Sequence, residues 1–260
     1  MLKFASNIKY LFNNIDLVSR IQASAGAGFQ AVECQRPYDI PSAKMRRSLA
    51  DAGVEMALIN APAGNGDGDK GLGIFSGRIS EFQRETERAI VYAAEIDCQR
   101  LHVMAGQTNQ DTDLNGAETI FKDNIAWAAE LGQRHGVRIL LEPLNPIDNP
   151  GYFLTQAAQA VRLIEAISHP NVYLQYDLYH AGMNGEDIIG PVGAYLGLID
   201  HIQIAGVPGR HEPDTGDIDF NPALKFIGKL GYKGWIGCEY APLGRVEDGL
   251  AWAVTHGFGT

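Results

Sequence analysis

Four short segments of this chain are apolar almost to their ends, and near its end each carries an oxygen-bearing side chain. Val137-Arg138-Ile139-Leu140-Leu141-Glu142 and Val172-Tyr173-Leu174-Gln175-Tyr176-Asp177 both finish in a carboxylate. Leu198-Ile199-Asp200-His201-Ile202-Gln203-Ile204-Ala205 places a glutamine near its end, and Gly234-Trp235-Ile236-Gly237-Cys238-Glu239 closes on a third carboxylate. Taken singly, each glutamate is a solvated rim residue or a partner for a nearby arginine, and Gln203 is a satisfied polar core residue. Gathered on one mouth, the three carboxylates would repel one another and take up protons or destabilise the fold. A divalent cation held by Glu142, Asp177, Gln203 and Glu239 resolves the conflict, and all-oxygen ligation selects a hard ion, Mg²⁺ or Mn²⁺, over zinc.

Around these four lie further polar residues in the same inward phase: Asn7, Glu33, His102 and His201. Glu33 and His201 read as barrel-layer filling or hydrogen-bonding groups, whereas His102 stays a candidate for the substrate. His180, three residues beyond Asp177 in Asp-Leu-Tyr-His, is placed to reach the site from the following loop or to lie on the surface. Arg210 and His211 stand in Val-Pro-Gly-Arg-His-Glu-Pro. Arg210 has the geometry to grip a substrate carboxylate with two N–H groups, or to pair only with Glu212 or Asp214.

Side chains alternate along a strand, so these positions share an inward face only if the segments are strands of one sheet. The strand candidates are 3–8, 31–35, 54–60, 100–106, 137–144, 172–177, 198–206 and 234–240. Helical spacing follows between them, as in Phe121, Ile125 and Ala128, and in Ala157, Val161, Ile164 and Ile167. Strict βα alternation predicts a parallel sheet with helices outside. An open doubly wound sheet is the competitor, but eight units of even size favour a single (β/α)8 TIM barrel over residues 1–260. In that fold chemistry sits at the carboxyl ends of the strands.

Composition removes several classes of function. The 260 residues are 45% apolar, and 21 basic against 31 acidic side chains leave a net charge of −10. That argues against a non-specific nucleic-acid or anionic-membrane surface and for a small-molecule substrate. Three cysteines without a Cys-x-x-Cys indicate a reducing compartment, and Cys238 is expected to face the helices as an inert thiol. The start lacks a long apolar signal region, and no run of about eighteen apolar residues exists, so a cytoplasmic location is expected. Barrels often pair through helices or rim loops, so the sequence leaves a homo-oligomer such as a dimer open. The Gly-x-Gly-x-x-Gly match at 66–71 carries Asp67 and Asp69, which would repel a pyrophosphate. It reads as a flexible βα loop, a lid being the alternative. Asp67-x-Asp69 is not a calcium loop either, because its twelfth position is Arg78.

At these residues the chain resembles the hydroxypyruvate isomerase family, within the larger xylose-isomerase-like group of barrels. The matching stretches are Phe-Gln-Ala-Val-Glu at 29–33, Leu-Glu-Pro-Leu-Asn at 141–145, Gln-Tyr-Asp-Leu-Tyr-His at 175–180, His-Ile-Gln-Ile-Ala-Gly-Val-Pro-Gly-Arg-His-Glu-Pro at 201–213 and Gly-Trp-Ile-Gly-Cys-Glu-Tyr at 234–240. It departs at Ala241, where relatives often carry a longer residue such as Lys, and at Phe75-Ser76-Gly77-Arg78, where a proline is common. The resemblance implies a divalent metal on Glu142, Asp177, Gln203 and Glu239, with Glu142 and Glu239 as the proton donor and acceptor. The reaction expected is interconversion of hydroxypyruvate and tartronate semialdehyde through an enediolate, with Arg210, His180 and His102 as the residues offered for substrate binding. The rival readings are a 2-oxo-tetronate isomerase or ketose epimerase on the same scaffold, a metal-dependent phosphodiesterase of the abasic-site endonuclease type, and a non-catalytic binding barrel.

Overall fold

A computed structural model describes residues 1–66 and 68–259; Asp67, weighed above in the glycine-rich segment, and Thr260 lie outside the described residues. Eight strands form: β1 Lys3–Asn7, β2 Ala31–Cys34, β3 Glu55–Asn60, β4 Arg100–His102, β5 Arg138–Leu141, β6 Val172–Asp177, β7 Ile199–Ile204 and β8 Trp235–Cys238. They pair in parallel in chain order, and β8 closes on β1 with Lys3 opposite Trp235 and Ala5 opposite Gly237. The barrel expected from the sequence is therefore the fold.

Nine helices among the described residues surround it: α1 Leu17–Gly26, α2 Ser42–Ala52, α3 Ile79–Glu95, α4 Leu114–Arg134, α5 Ala157–Ile167, α6 Leu178–Met183, α7 Gly190–Tyr195, α8 Asn221–Lys229 and α9 Ala251–Val254. The periodic residues Phe121, Ile125 and Ala128 of α4, and Ala157, Val161 and Ile164 of α5, are buried in one apolar shell between helices and strands. Asp16 starts α1 by accepting from the Val18 and Ser19 N–H groups, and Gly53 ends α2 in the left-handed conformation at φ 67°. Among the described residues no helix is long and apolar enough to cross a membrane.

Inside the barrel the lowest layer is apolar, with Ala5, Ala31 and Ala57 packed around Trp235. Above it the interior turns polar. The register shifts between Val32 and Glu33, and again between Leu174 and Gln175. Such irregularities re-aim the residues that follow. Here they set two inward polar side chains beneath the barrel mouth.

The opposite face is closed by charge. Asp200 Oδ2 lies 2.7 Å from Arg100 Nε and 3.0 Å from Arg138 Nε, uniting β4, β5 and β7 at their amino ends. In a TIM barrel that face serves stability. Asp200→Ala leaves two partly buried guanidiniums without their carboxylate. We expect a loss of about 2–3 kcal/mol in a denaturant titration, with kcat/KM retained in the folded variant.

Candidate active site

Asp177 is both the last residue of β6 and the cap of α6. Its Oδ1 accepts the Tyr179 backbone N–H at 2.9 Å, which fixes the carboxylate. Oδ2 is left buried without a hydrogen-bond partner. Burial, only partly offset by Arg210, raises its pKa to about 7. Glu142 follows the last residue of β5 and precedes Pro143, which has no N–H to continue a ladder. Its Oε1 is likewise buried and unpartnered, and its pKa is pushed well above the usual carboxylate range by burial, then by Glu239 and Asp177. The neighbour of Glu142 is His102, whose Nδ1 lies 3.2 Å from Oε2. Burial holds His102 neutral, with a pKa of about 3, so it brings no compensating charge.

Glu239 enters from β8, three strands from β5. Its Oε1 accepts from the Gln35 amide and lies 3.3 Å from Arg210 Nη2. The same Nη2 is 3.6 Å from Asp177 Oδ2, so one guanidinium bridges two of the three carboxylates. Burial still raises the Glu239 pKa against the pull of Arg210. Arg210 makes neither pairing left open by the sequence: Glu212 instead accepts the Leu243 N–H at 3.1 and 3.2 Å. The Arg210 side chain packs between the rings of Tyr179 and Tyr10, at 4.7 and 5.4 Å. Its backbone adopts φ 55°, a left-handed conformation that costs an ordinary residue roughly 1–2 kcal/mol. The Arg210 N–H to the Gly206 carbonyl (3.0 Å) and the Ala241 N–H to the Arg210 carbonyl (2.8 Å) hold it there. His211 is turned away, its Nδ1 2.7 Å from the Ala241 carbonyl.

His180 stands on α6 with Nε2 3.6 Å from Asp177 Oδ2. Its Nδ1 receives the Asn145 backbone N–H at 3.2 Å and the Asn145 amide nitrogen at 2.6 Å. A backbone N–H can only donate, so Nδ1 is the acceptor and the neutral ring carries its proton on Nε2. Burial keeps the ring neutral by lowering its pKa well below the usual histidine range. His180 thus offers the site an N–H.

Gln203 lies level with Asp177 and Gly237 in the sheet. Its Oε1 accepts from Gln175 Nε2 at 2.6 Å, and its Nε2 donates to Glu33 Oε2 at 2.9 Å. Glu33 also accepts from Asn7 Nδ2 at 2.9 Å and pairs with His201 Nε2. Glu33 and His201 therefore fill a polar barrel layer. That layer needs Gly237: a Cβ there would overlap the Glu33 carboxyl oxygens. Gly237→Ala should destabilise by about 3 kcal/mol or more, read as a lowered unfolding midpoint, because a buried, fully engaged carboxylate cannot move aside cheaply.

The mouth of the barrel opens on a cavity of about 670 Å³ whose lining includes Lys9, Glu142, Asp148, His180, Arg210 and Glu239. His102 does not reach this surface; it backs Glu142. Glu142, Asp177 and His180 each place a ligand atom within 4.8 Å of the others. Two buried carboxylate oxygens without hydrogen-bond partners, on raised-pKa groups, fit a divalent cation. The hydrogen-bonding of His180 leaves the oxygens as the natural ligands, which fits a hard ion.

Inward phase continues two residues past each strand, and this points to groups that the search for carboxylates passed over. Lys9 is two beyond Asn7, and Gln35 two beyond Glu33. Asn145 and Asp148 lie in the loop after β5, where periodicity says nothing. Asp69, in the glycine-rich loop, accepts the Gly66 N–H at 2.8 Å and both terminal nitrogens of Arg78 at 2.9 and 2.7 Å. Among the described residues of this loop Asp69 thus presents acid to the backbone, which opposes a phosphate there.

A family model described as xylose isomerase-like TIM barrel matches residues 21–256. The chain is 36% identical over 254 residues to a 2-oxo-tetronate isomerase of Pectobacterium atrosepticum, covering 97% of each. It is 33% identical over 253 residues to the hydroxypyruvate isomerase of Escherichia coli, covering 97% of this chain and 98% of that one. Among solved structures, that of an AP endonuclease, family 2, from Brucella melitensis superposes with a TM-score of 0.95 at 38% identity, covering 98% and 99% of the two chains.

Proposed function

The chain belongs to the xylose isomerase-like TIM barrel family, and from that premise we propose that it is a divalent-cation-dependent isomerase interconverting hydroxypyruvate and tartronate semialdehyde. One observation carries the reading. Glu142, Asp177 and Glu239 are buried together at the barrel mouth with raised pKa values, Glu142 and Glu239 line its cavity, two of the carboxylate oxygens lack a hydrogen-bond partner, and a single guanidinium lies beside two of the carboxylates. Mg²⁺ or Mn²⁺ on Glu142, Asp177, Gln203 and Glu239 would supply Lewis-acid polarisation of the substrate carbonyl.

The residues do the rest. One of Glu142 and Glu239 takes the proton from the carbon bearing the hydroxyl, and the electron pair of that C–H bond becomes the double bond of an enediolate. The other returns a proton to the former carbonyl carbon, while the hydroxyl proton passes to the former carbonyl oxygen. Entry from β5 and from β8 sets the two carboxylates on different walls of the cavity, which suits work on two neighbouring carbons. His180 directs its Nε2–H toward the oxygen on which charge grows, and Arg210 restrains the charge of Asp177 and Glu239.

A four-carbon acid, 2-oxo-tetronate, is the second reading. The cavity volume favours it, being in the range that accepts ligands much larger than a three-carbon acid, and the Pectobacterium relative bears that name. The endonuclease reading is set aside because a net charge of −10 opposes a DNA surface. The test is a panel of hydroxypyruvate, 2-oxo-tetronate and neutral ketoses, assayed on metal-stripped protein before and after Mg²⁺ or Mn²⁺. Turnover of a hydroxy-oxo acid only after metal is expected; nicking of abasic-site DNA without isomerase activity would reverse the assignment.

A further inference from the structure

We propose that Lys9 is an anion subsite at the cavity mouth that holds the substrate's carboxylate and so selects acids over neutral ketoses. This deepens the isomerase reading above and rests on it for the identity of the acid.

Four cations line the cavity: Lys9, Arg36, Lys70 and Arg210. Arg210, the residue the sequence offered for this task, is occupied. Its Nη2 bridges Asp177 and Glu239, and its Nε donates to the Glu239 carbonyl at 3.2 Å. Lys70 is tied across the mouth, donating to Asn149 Oδ1 at 2.9 Å and to the Asp148 carbonyl at 3.4 Å. Arg36 is exposed, as Lys9 is, and it is on Lys9 that the charges of Glu239 and Glu142 act. Lys9 shares the cavity wall with Glu142 and Glu239 and is uncommitted. Its Nζ has the Tyr10 hydroxyl at 3.4 Å and lies over the Tyr10 ring at 4.8 Å, and among the described residues no carboxylate comes within ion-pair distance.

The wall acids that could have claimed it are otherwise engaged. Asp69 is gripped by Arg78, and Asp148 accepts from the Tyr179 hydroxyl at 2.7 Å and from Asn145 at 3.0 Å. Yet Lys9 is near enough to Glu239 and Glu142 for their charges to act on it. Its backbone is set by its own N–H, donated to Asn7 Oδ1 at 3.2 Å. A lysine left without a carboxylate, in a chain with ten more acids than bases, concentrates attraction for an anion at one point of the mouth. In a 2-oxo acid the carboxylate is bonded to the reacting carbonyl carbon, so its receptor must stand beside the catalytic carboxylates. In a ketose the same place holds a neutral CH2OH.

The experiment compares wild type, Lys9→Met and Lys9→Arg on hydroxypyruvate and on dihydroxyacetone, in which CH2OH replaces the carboxylate. Calorimetric binding of D-glycerate, an acid the enzyme cannot isomerise, is measured alongside. Losing a charge-assisted contact should lower kcat/KM for hydroxypyruvate roughly 10- to 100-fold, mainly through KM, with a much smaller change for dihydroxyacetone. Lys9→Arg should recover most of the loss, and glycerate affinity should fall with the Met variant by a similar factor. Equal losses on both substrates, or unchanged glycerate binding, would overturn the subsite. A wild type that turns over no acid would refute the isomerase reading instead, and glycerate calorimetry would still decide on Lys9.

Discussion

Glu142→Gln should lower kcat/KM by about 10³-fold or more in protein that remains folded. The variant keeps the shape of the side chain and its place beside His102, but removes a proton acceptor and a cation ligand together. Stability should move little, within about 1 kcal/mol, because without metal this carboxyl is already pushed toward its neutral form by burial and by its acidic neighbours. Glu239→Gln should be as damaging to turnover but should also destabilise, since it takes from Arg210 one of the two carboxylates it bridges. The contrast separates a chemical role from a structural one. Near wild-type turnover by metal-loaded Glu142→Gln or Glu239→Gln would exclude the proposed proton transfer.

Metal removal should abolish turnover, and its effect on stability should depend on pH. Asp177 has a folded-state pKa of about 7 against an ordinary value of 3.8. Between those values the folded protein holds a proton that the unfolded chain has released, so Asp177 costs the stripped protein stability as pH rises, and its share of the loss is complete above about pH 7. Glu142 and Glu239, also raised, act in the same direction. A divalent cation binds the ionised carboxylates and reverses the penalty. The rise in melting temperature on adding Mn²⁺ or Mg²⁺ should therefore be small at about pH 5.5 and several-fold larger at about pH 8. A shift that is equal at both values, or larger in acid, would show that the ion binds elsewhere.

The barrel and the positions of its acids were legible because both follow from alternation. A strand buried on both faces reads as an apolar run, and a carboxylate at its end is conspicuous against it; Glu142, Asp177 and Glu239 stood out for this reason. Strand-like sequence outruns the strands: 100–106, 137–144 and 234–240 read as continuous runs, while β4, β5 and β8 end at His102, Leu141 and Cys238. Of the buried residues beyond, Val103 still donates its N–H to the Leu140 carbonyl at 3.1 Å, whereas Leu144 has turned away and donates to the Leu154 carbonyl at 2.9 Å. Pairings within the site were not legible. Gln35 reaches Glu239 across 204 positions and Glu33 reaches Gln203 across 170, contacts created only when the sheet closes. The role of Arg210 was hidden for the same reason, since Glu212 is near in sequence but Asp177 and Glu239 are near in space. The tautomer of His180 depends on one loop N–H, that of Asn145, which no pattern of residue types announces.

The central claim is that the mouth carboxylates jointly hold one hard cation beside the reacting carbons. Anomalous diffraction from crystals soaked in Mn²⁺ tests it most directly. The account predicts a single strong peak within about 2.0–2.4 Å of oxygens from Glu142 and Asp177, with Glu239 and Gln203 completing the shell. A peak at another place on the protein, with Arg210 still bridging Asp177 and Glu239 and no ion between the carboxylates, would contradict it.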